Sequence, residues 1–212
     1  MNLAHSLAAL TLAATASPIC AAVPETRAPS EAELKSFNDF YQQQQPTPLP
    51  AKPVFTISRP DPKAKWTLAA SVATPPQRGL RLLCRMTRSE FSYAGRWTAG
   101  PTRQLAWLQR GACSVPAQTV ELKHQLPDTE LIALMEHQAS LLQSARIMLG
   151  GNTTCASQRS YRYALTAIDI GKAGASPELL AGLVFTSDHN TQATVWARRS
   201  GPDYSAWNVS CP

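Results

Sequence analysis

The stretch LRLLCRMTRSEFSY at residues 80–93, followed by RQLAWLQRGAC at residues 103–113, decides the fold of this chain. In the first segment Leu82, Cys84 and Met86 alternate with Arg81, Arg85 and Thr87. That alternation puts apolar side chains on one face of a strand and cations on the other. Gly95 to Gly100 with Pro101 reads as a turn, so Leu80 to Tyr93 and Arg103 to Cys113 are expected to pair as an antiparallel hairpin. A turn centred between Thr98 and Ala99 would set Cys84 directly against Cys113.

Working outward, Trp66 to Thr74 reads as a further strand, ended by Pro75 and Pro76. Beyond the hairpin, Asp128, Thr129 and Glu130 follow Pro127 as a helix start. Leu131, Leu134, Met135, Gln138, Leu141, Leu142, Ala145 and Met148 then form one apolar stripe, and Gly150 with Gly151 should cap it. Strands are expected at Tyr161 to Ile170, Leu179 to Thr186, Gln192 to Arg199 and Tyr204 to Cys211, the middle two joined by a polar turn at Ser187 to Thr191. There is no β-α-β alternation and no internal repeat. The expected class is α+β: a mainly antiparallel sheet of about six or seven strands with one long helix on one face.

A short helical arm precedes this domain. Ser30 and Glu33 form a capping box, and Leu34, Phe37, Phe40 and Tyr41 recur at helical spacing. Gln42 to Gln45 and then Pro46, Pro48, Pro50 and Pro53 end the helix in an extended spacer. Residues 23–62 are read as arm and linker, and residues 63–212 as a single disulfide-bonded domain. The arm must bury its apolar stripe on its own domain or on a partner.

Residues 1–22 carry no Lys, Arg, Asp or Glu; an Ala- and Leu-rich core from Leu7 to Ala16 is followed by Pro18 and the small pair Ala21 and Ala22. That is the layout of a secretory signal peptide, although its start lacks Lys or Arg. Ile19 before Cys20 is not the small residue a lipidation site needs, so no lipid anchor is expected, and no later apolar stretch reaches spanning length. With Cys20 removed, Cys84, Cys113, Cys155 and Cys211 remain, an even set for an oxidising compartment, periplasmic or extracellular. The hairpin register pairs Cys84 with Cys113 and leaves Cys155 for Cys211. The second bridge should contribute about 4 kcal/mol on the chain-entropy account.

The 212-residue chain has a net charge of +6, with 14 Arg against 6 Lys, which favours planar contacts to carboxylate or phosphate. Residues 77–111 hold seven arginines against the single acid Glu90, with Trp97 and Trp107 interleaved. Arg81, Arg85, Arg88, Arg96 and Trp97 are the candidate binding residues, for an anionic glycan, a phosphate-bearing surface or the acidic face of another envelope protein. The bland alternative is a solvated face whose arginine stems cover apolar surface.

No chemistry is marked by motif. Glu136-His137 lacks the first ligand of an HxxEH metal site, because Ala133 stands there. His189 beside Asp188 sits in a turn, the serines lack a nucleophile-elbow setting, and phosphate loops and dinucleotide glycine patterns are absent. No metal or cofactor is expected. Asn152 and Asn208 stand in glycosylation sequons. The expected function is a secreted or periplasmic binding module for an anionic partner. The alternative is a small envelope hydrolase whose active site is assembled from residues distant in sequence.

Overall fold

A computed structural model describes residues 24–45, 47–158, 160–175, 178–201 and 203–212. The signal segment expected over residues 1–22, with Cys20, lies outside the described residues. In chain order the elements are β1 (Glu25–Thr26), α1 (Glu31–Gln44), β2 (Val54–Arg59), β3 (Thr67–Ala73), β4 (Gln77–Arg78), β5 (Leu83–Tyr93), β6 (Trp97–Leu108) and β7 (Val120–Leu122). They continue with α2 (Asp128–Gly151), a short 3₁₀ turn at Ala156–Gln158, then β8 (Tyr163–Gly171), β9 (Leu180–Ser187), β10 (Gln192–Ser200) and β11 (Asp203–Ser210). Among the described residues the strands form one 11-stranded sheet in the order β1-β2-β3-β5-β6-β7-β8-β9-β10-β11, with β4 beside β5. Neighbours are antiparallel except β7 and β8. The fold is sheet-rich α+β.

The sheet has more strands than the six or seven expected, and it carries two helices. The architecture is a helix followed by four main strands, made twice: α1 with β2, β3, β5 and β6, then α2 with β8 to β11. Val54–Arg59, placed in the linker by sequence, is a strand paired along β3. Its own residues alternate and carry no proline, so the proline-rich spacer stops at Pro53.

Both helices pack on the same face. On β5, Leu83 enters the core under α2 while Phe91, an even number of residues on, enters the core under α1. Leu68, Ala70 and Val72 on β3 join Phe91, and Leu183, Phe185, Val195 and Val209 line the larger core. In α2 the buried stripe gains Ile132 and Leu149, and Gly150 and Gly151 are its last two helical residues, the cap itself being Asn152. The Asn152 N–H donates to the Met148 and Leu149 carbonyls. The arm docks in cis. Phe37 is fully buried, with its ring 4.9 Å from that of Trp97, 5.3 Å from Phe91 and 5.4 Å from Phe55. The Ser30–Glu33 capping box forms, and Glu33 also holds Arg27. Arg27 and Arg59 both stack on Trp66.

The hairpin register differs from expectation. The β5–β6 turn lies at Gly95 (φ 79°), not between Thr98 and Ala99, so β6 starts at Trp97. Gly100 and Pro101 sit within β6 at a bulge, where Ser89 faces Thr102 but Phe91 faces Ala99. A Cβ on Gly100 would come 3.1 Å from the Glu90 carbonyl oxygen, a tight approach that glycine avoids at the bulge. Cys84 consequently faces Trp107. The Cys84–Cys113 bridge is present, but it forms because the chain doubles back after β6 through Gly111 (φ 74°), bringing the two Cα atoms to 5.8 Å. Cys155–Cys211 ties the end of the chain to the segment after α2. Two disulfides fit an oxidising compartment, and no helix of the described residues is long and apolar enough to cross a membrane.

Candidate functional site

The second face of the sheet bears no helix. Near one end Cys84, Met86, Leu105 and Trp107 form a small cluster against Cys113. Beyond it the face is polar. Arg88, Glu90, Arg103, Glu121 and Lys123 line a groove of about 420 Å³ whose far wall is Thr166, Val184 and Thr186. Thr166 and Thr186 join their hydroxyls across the strands at 2.8 Å. Arg88 and Glu90 also line an adjoining groove toward Thr56 and Ser71, so the two make one trough across β2 to β9.

The charges in this trough are unequally matched. Arg103 lies 3.4 Å from Glu90 and 3.2 Å from Glu121, and Lys123 is 2.8 Å from Glu121. Arg88 has no acidic partner among the described residues, although it is only half-exposed. The β5–β6 register makes Arg88 and Arg103 direct cross-strand partners. Like charges directly opposed across a strand pair destabilise a sheet. The Arg103 Nε is shielded from water, and its 3.4 Å contact with the Glu90 carboxylate falls short of hydrogen-bond geometry.

The five sequence candidates do not form one site. Arg81 lies in the loop before β5, in a left-handed conformation (φ 51°), with its carbonyl accepting from Arg78. Arg85 lies on the helix-bearing face, where its guanidinium donates to the Asp128 carboxylate and the Leu126 carbonyl. It therefore fastens the start of α2 to β5. Arg88 lines the open-face trough. Arg96 and Trp97 lie at the far end of the hairpin, in a shallow cleft of about 850 Å³ against α1. The residues missed as a group were Arg103, Glu121 and Lys123 with the threonine wall, because only the pairing of β6, β7 and β8 assembles them.

Compared with protein-family models, curated proteins and solved structures, the chain matches none.

The described histidines are engaged singly. His124 Nδ1 lies 2.7 Å from Asp169, His137 Nδ1 is bonded to the Ala133 carbonyl with Nε2 3.3 Å from Asp203, and His189 packs on Tyr161. Among the described residues no hydroxyl is hydrogen-bonded to an imidazole ring, and no group of three His, Cys, Asp or Glu side chains could hold a metal. Of the sequon residues, the Asn152 side chain is already used, accepting from Thr154 N–H and donating toward the Val209 carbonyl.

Two groups have strongly shifted ionisation. The Arg27 guanidinium and the Ser30 N–H lower the Glu33 carboxyl to about 2. Burial, with the neighbouring Glu130 carboxylate that accepts its hydroxyl, pushes the Tyr204 phenol well up. Both belong to structural contacts away from the trough.

Proposed function

We propose that this chain is an exported binding module whose open sheet face takes an anionic group of its partner between Arg88 and Arg103. The reading rests on one observation: two arginines directly opposed across β5 and β6, one of them without an acidic partner among the described residues. A sheet gains nothing from that arrangement by itself, and a local choice that works against the fold is the mark of a site kept for another purpose. A carboxylate, sulfate or phosphate lying across the pair would accept from both guanidiniums and remove their repulsion. The trough around them is long and hydroxyl-lined, suited to an extended partner. The two disulfides fit export to an oxidising compartment.

The test is a pair of charge-matched variants. Arg88→Thr should lose retention on a heparin-type resin and flatten its salt dependence, since fewer counterions are released. Arg146→Ser removes one cation from the exposed surface of α2 and should change retention little. In buffer without multivalent anions, Arg88→Thr should also stabilise the fold by about 0.2–1 kcal/mol, the relief of an opposed like-charge pair. Equal loss of retention in both variants would mean that the resin reads net charge, and the site would be refuted.

A further inference from the structure

We infer that the partner of the open face is an acidic glycan, one of whose sugar rings stacks on Trp196; this rests on the anion reading of Arg88 and Arg103. Trp196 stands on β10 directly opposite Gly182 of β9. A Cβ on Gly182 would come 3.0 Å from the indole, and one on Gly171 of β8 would come 2.8 Å from it. The ring therefore lies down across β9 and β8, where two glycines leave it room. Glycine in a strand weakens pairing and often marks a close approach. The indole N–H donates to the Ser210 hydroxyl at 3.2 Å, which fixes the ring in its plane. One face of the ring rests on the backbone. This side of the sheet carries no helix, and the half-buried indole turns its other face outward. Arg198, two residues on, is stacked on Trp207 and paired with Glu178.

This aromatic platform shares a row of the sheet with the arginine pair. Paired residues run across from Leu105 through Glu121, Ala167 and Val184 to Thr194. Two residues along each strand, on the same side, come Arg103, Lys123, Asp169, Gly182 and Trp196, with Arg88 opposite Arg103. Asp169 is taken up by His124 and by the Ile170 N–H. The indole over β8 and β9 is two to three strand spacings from Arg103, about 10–14 Å. A small anion cannot touch both ends, whereas a chain that repeats rings and charges reaches from one to the other. The indole takes the C–H face of a sugar ring, and the arginines take its carboxylate or sulfate. The threonine hydroxyls of the trough wall exchange hydrogen bonds with the sugar hydroxyls. Two disulfides fit an oxidising compartment, where glycans rather than nucleic acids are the abundant polyanions.

Calorimetry on the full chain tests this with three polyanions of matched charge: a heparin hexasaccharide, linear polyphosphate and an oligodeoxythymidylate. The hexasaccharide should bind tightest. Trp196→Leu should weaken it about fivefold, the worth of one aromatic stack, and leave polyphosphate, which has no ring, unchanged. Trp196→Tyr keeps an aromatic face and should retain most of the affinity, which also serves if the Leu variant fails to fold. Arg88→Thr should weaken hexasaccharide and polyphosphate alike. Tighter binding of the oligodeoxythymidylate would give the row to nucleic acid and overturn the glycan. Equal binding of hexasaccharide and polyphosphate to the wild type, or equal losses of both in Trp196→Leu, would overturn the stack. A loss in Arg88→Thr with none in Trp196→Leu would overturn the platform and leave the anion reading standing. The reverse pattern would overturn the anion reading, and no binding of any probe would overturn both.

Discussion

Replacing Phe37 by Ala measures whether α1 is an integral part of the domain or a detachable arm. The side chain is fully buried, and it is ringed by Trp97, Phe91, Phe55 and Tyr41 at 4.9 to 6.1 Å. Phe-to-Ala changes in cores cost about 3–5 kcal/mol, the spread reflecting how far the site collapses. Three of the four surrounding rings stand on β2, β5 and β6, whose backbones are held by the sheet, so little collapse is available. The expected cost is about 4 kcal/mol, a large share of the roughly 5–15 kcal/mol by which such domains are stable. With a urea slope of about 2 kcal/mol per molar, the midpoint should fall by about 2 M. Tryptophan fluorescence and far-ultraviolet circular dichroism should follow one coincident transition, because Trp97 belongs to the same core. A midpoint shift under about 0.5 M, with protease releasing α1 near residues 45–53 and the rest unchanged, would refute the argument. α1 would then contribute nothing to the sheet.

Removing Cys155–Cys211 by a double Ser substitution should cost about 4 kcal/mol and removing Cys84–Cys113 about half a kcal/mol less, because the loops span 56 and 29 residues; thermal unfolding of the two variants gives the order, and a reversed order would contradict the chain-entropy account. Glu33 is held below its unfolded value, so its contribution is present above pH of about 4.5 and is lost as pH falls toward about 2. Urea midpoints of wild type and Glu33→Gln should therefore differ at pH 7, draw together as pH falls below about 4.5, and converge only below about pH 2. Tyr204 is held above its ordinary value by burial and by Glu130, so its contribution is complete below pH 10 and falls as pH rises further. Absorbance at 295 nm should show a late-ionising tyrosine that is missing in Tyr204→Phe.

What was legible in the sequence depended on interactions three or four residues long. The Ser30–Glu33 capping box and the apolar stripe from Leu131 to Ala145 place two helices without reference to anything else, because a helix satisfies its own backbone. The alternation along Leu82, Cys84 and Met86 announces a strand, and the even cysteine set announces bridges. Val54–Arg59 was hidden by the prolines before it, since composition averaged over a segment outweighed the alternation inside it.

The site was not legible, because a sheet is built from pairings that sequence distance does not encode. A single extra residue at Gly100 and Pro101, with the turn moved to Gly95, sets Arg88 against Arg103 and Cys84 against Trp107. Arg85 reads like Arg88 along the chain, yet it points to the helix-bearing face and is held by Asp128, 43 residues away. Trp97, one residue from Arg96, is drawn into the core by a helix that ends more than fifty residues before it. By itself the sequence determined the helices, the presence of strands, the cation-rich hairpin and the means for two bridges, all consequences of local periodicity and composition. Only the tertiary structure decided which arginines are free and what they face, because register, bulge and helix docking are set by long-range burial.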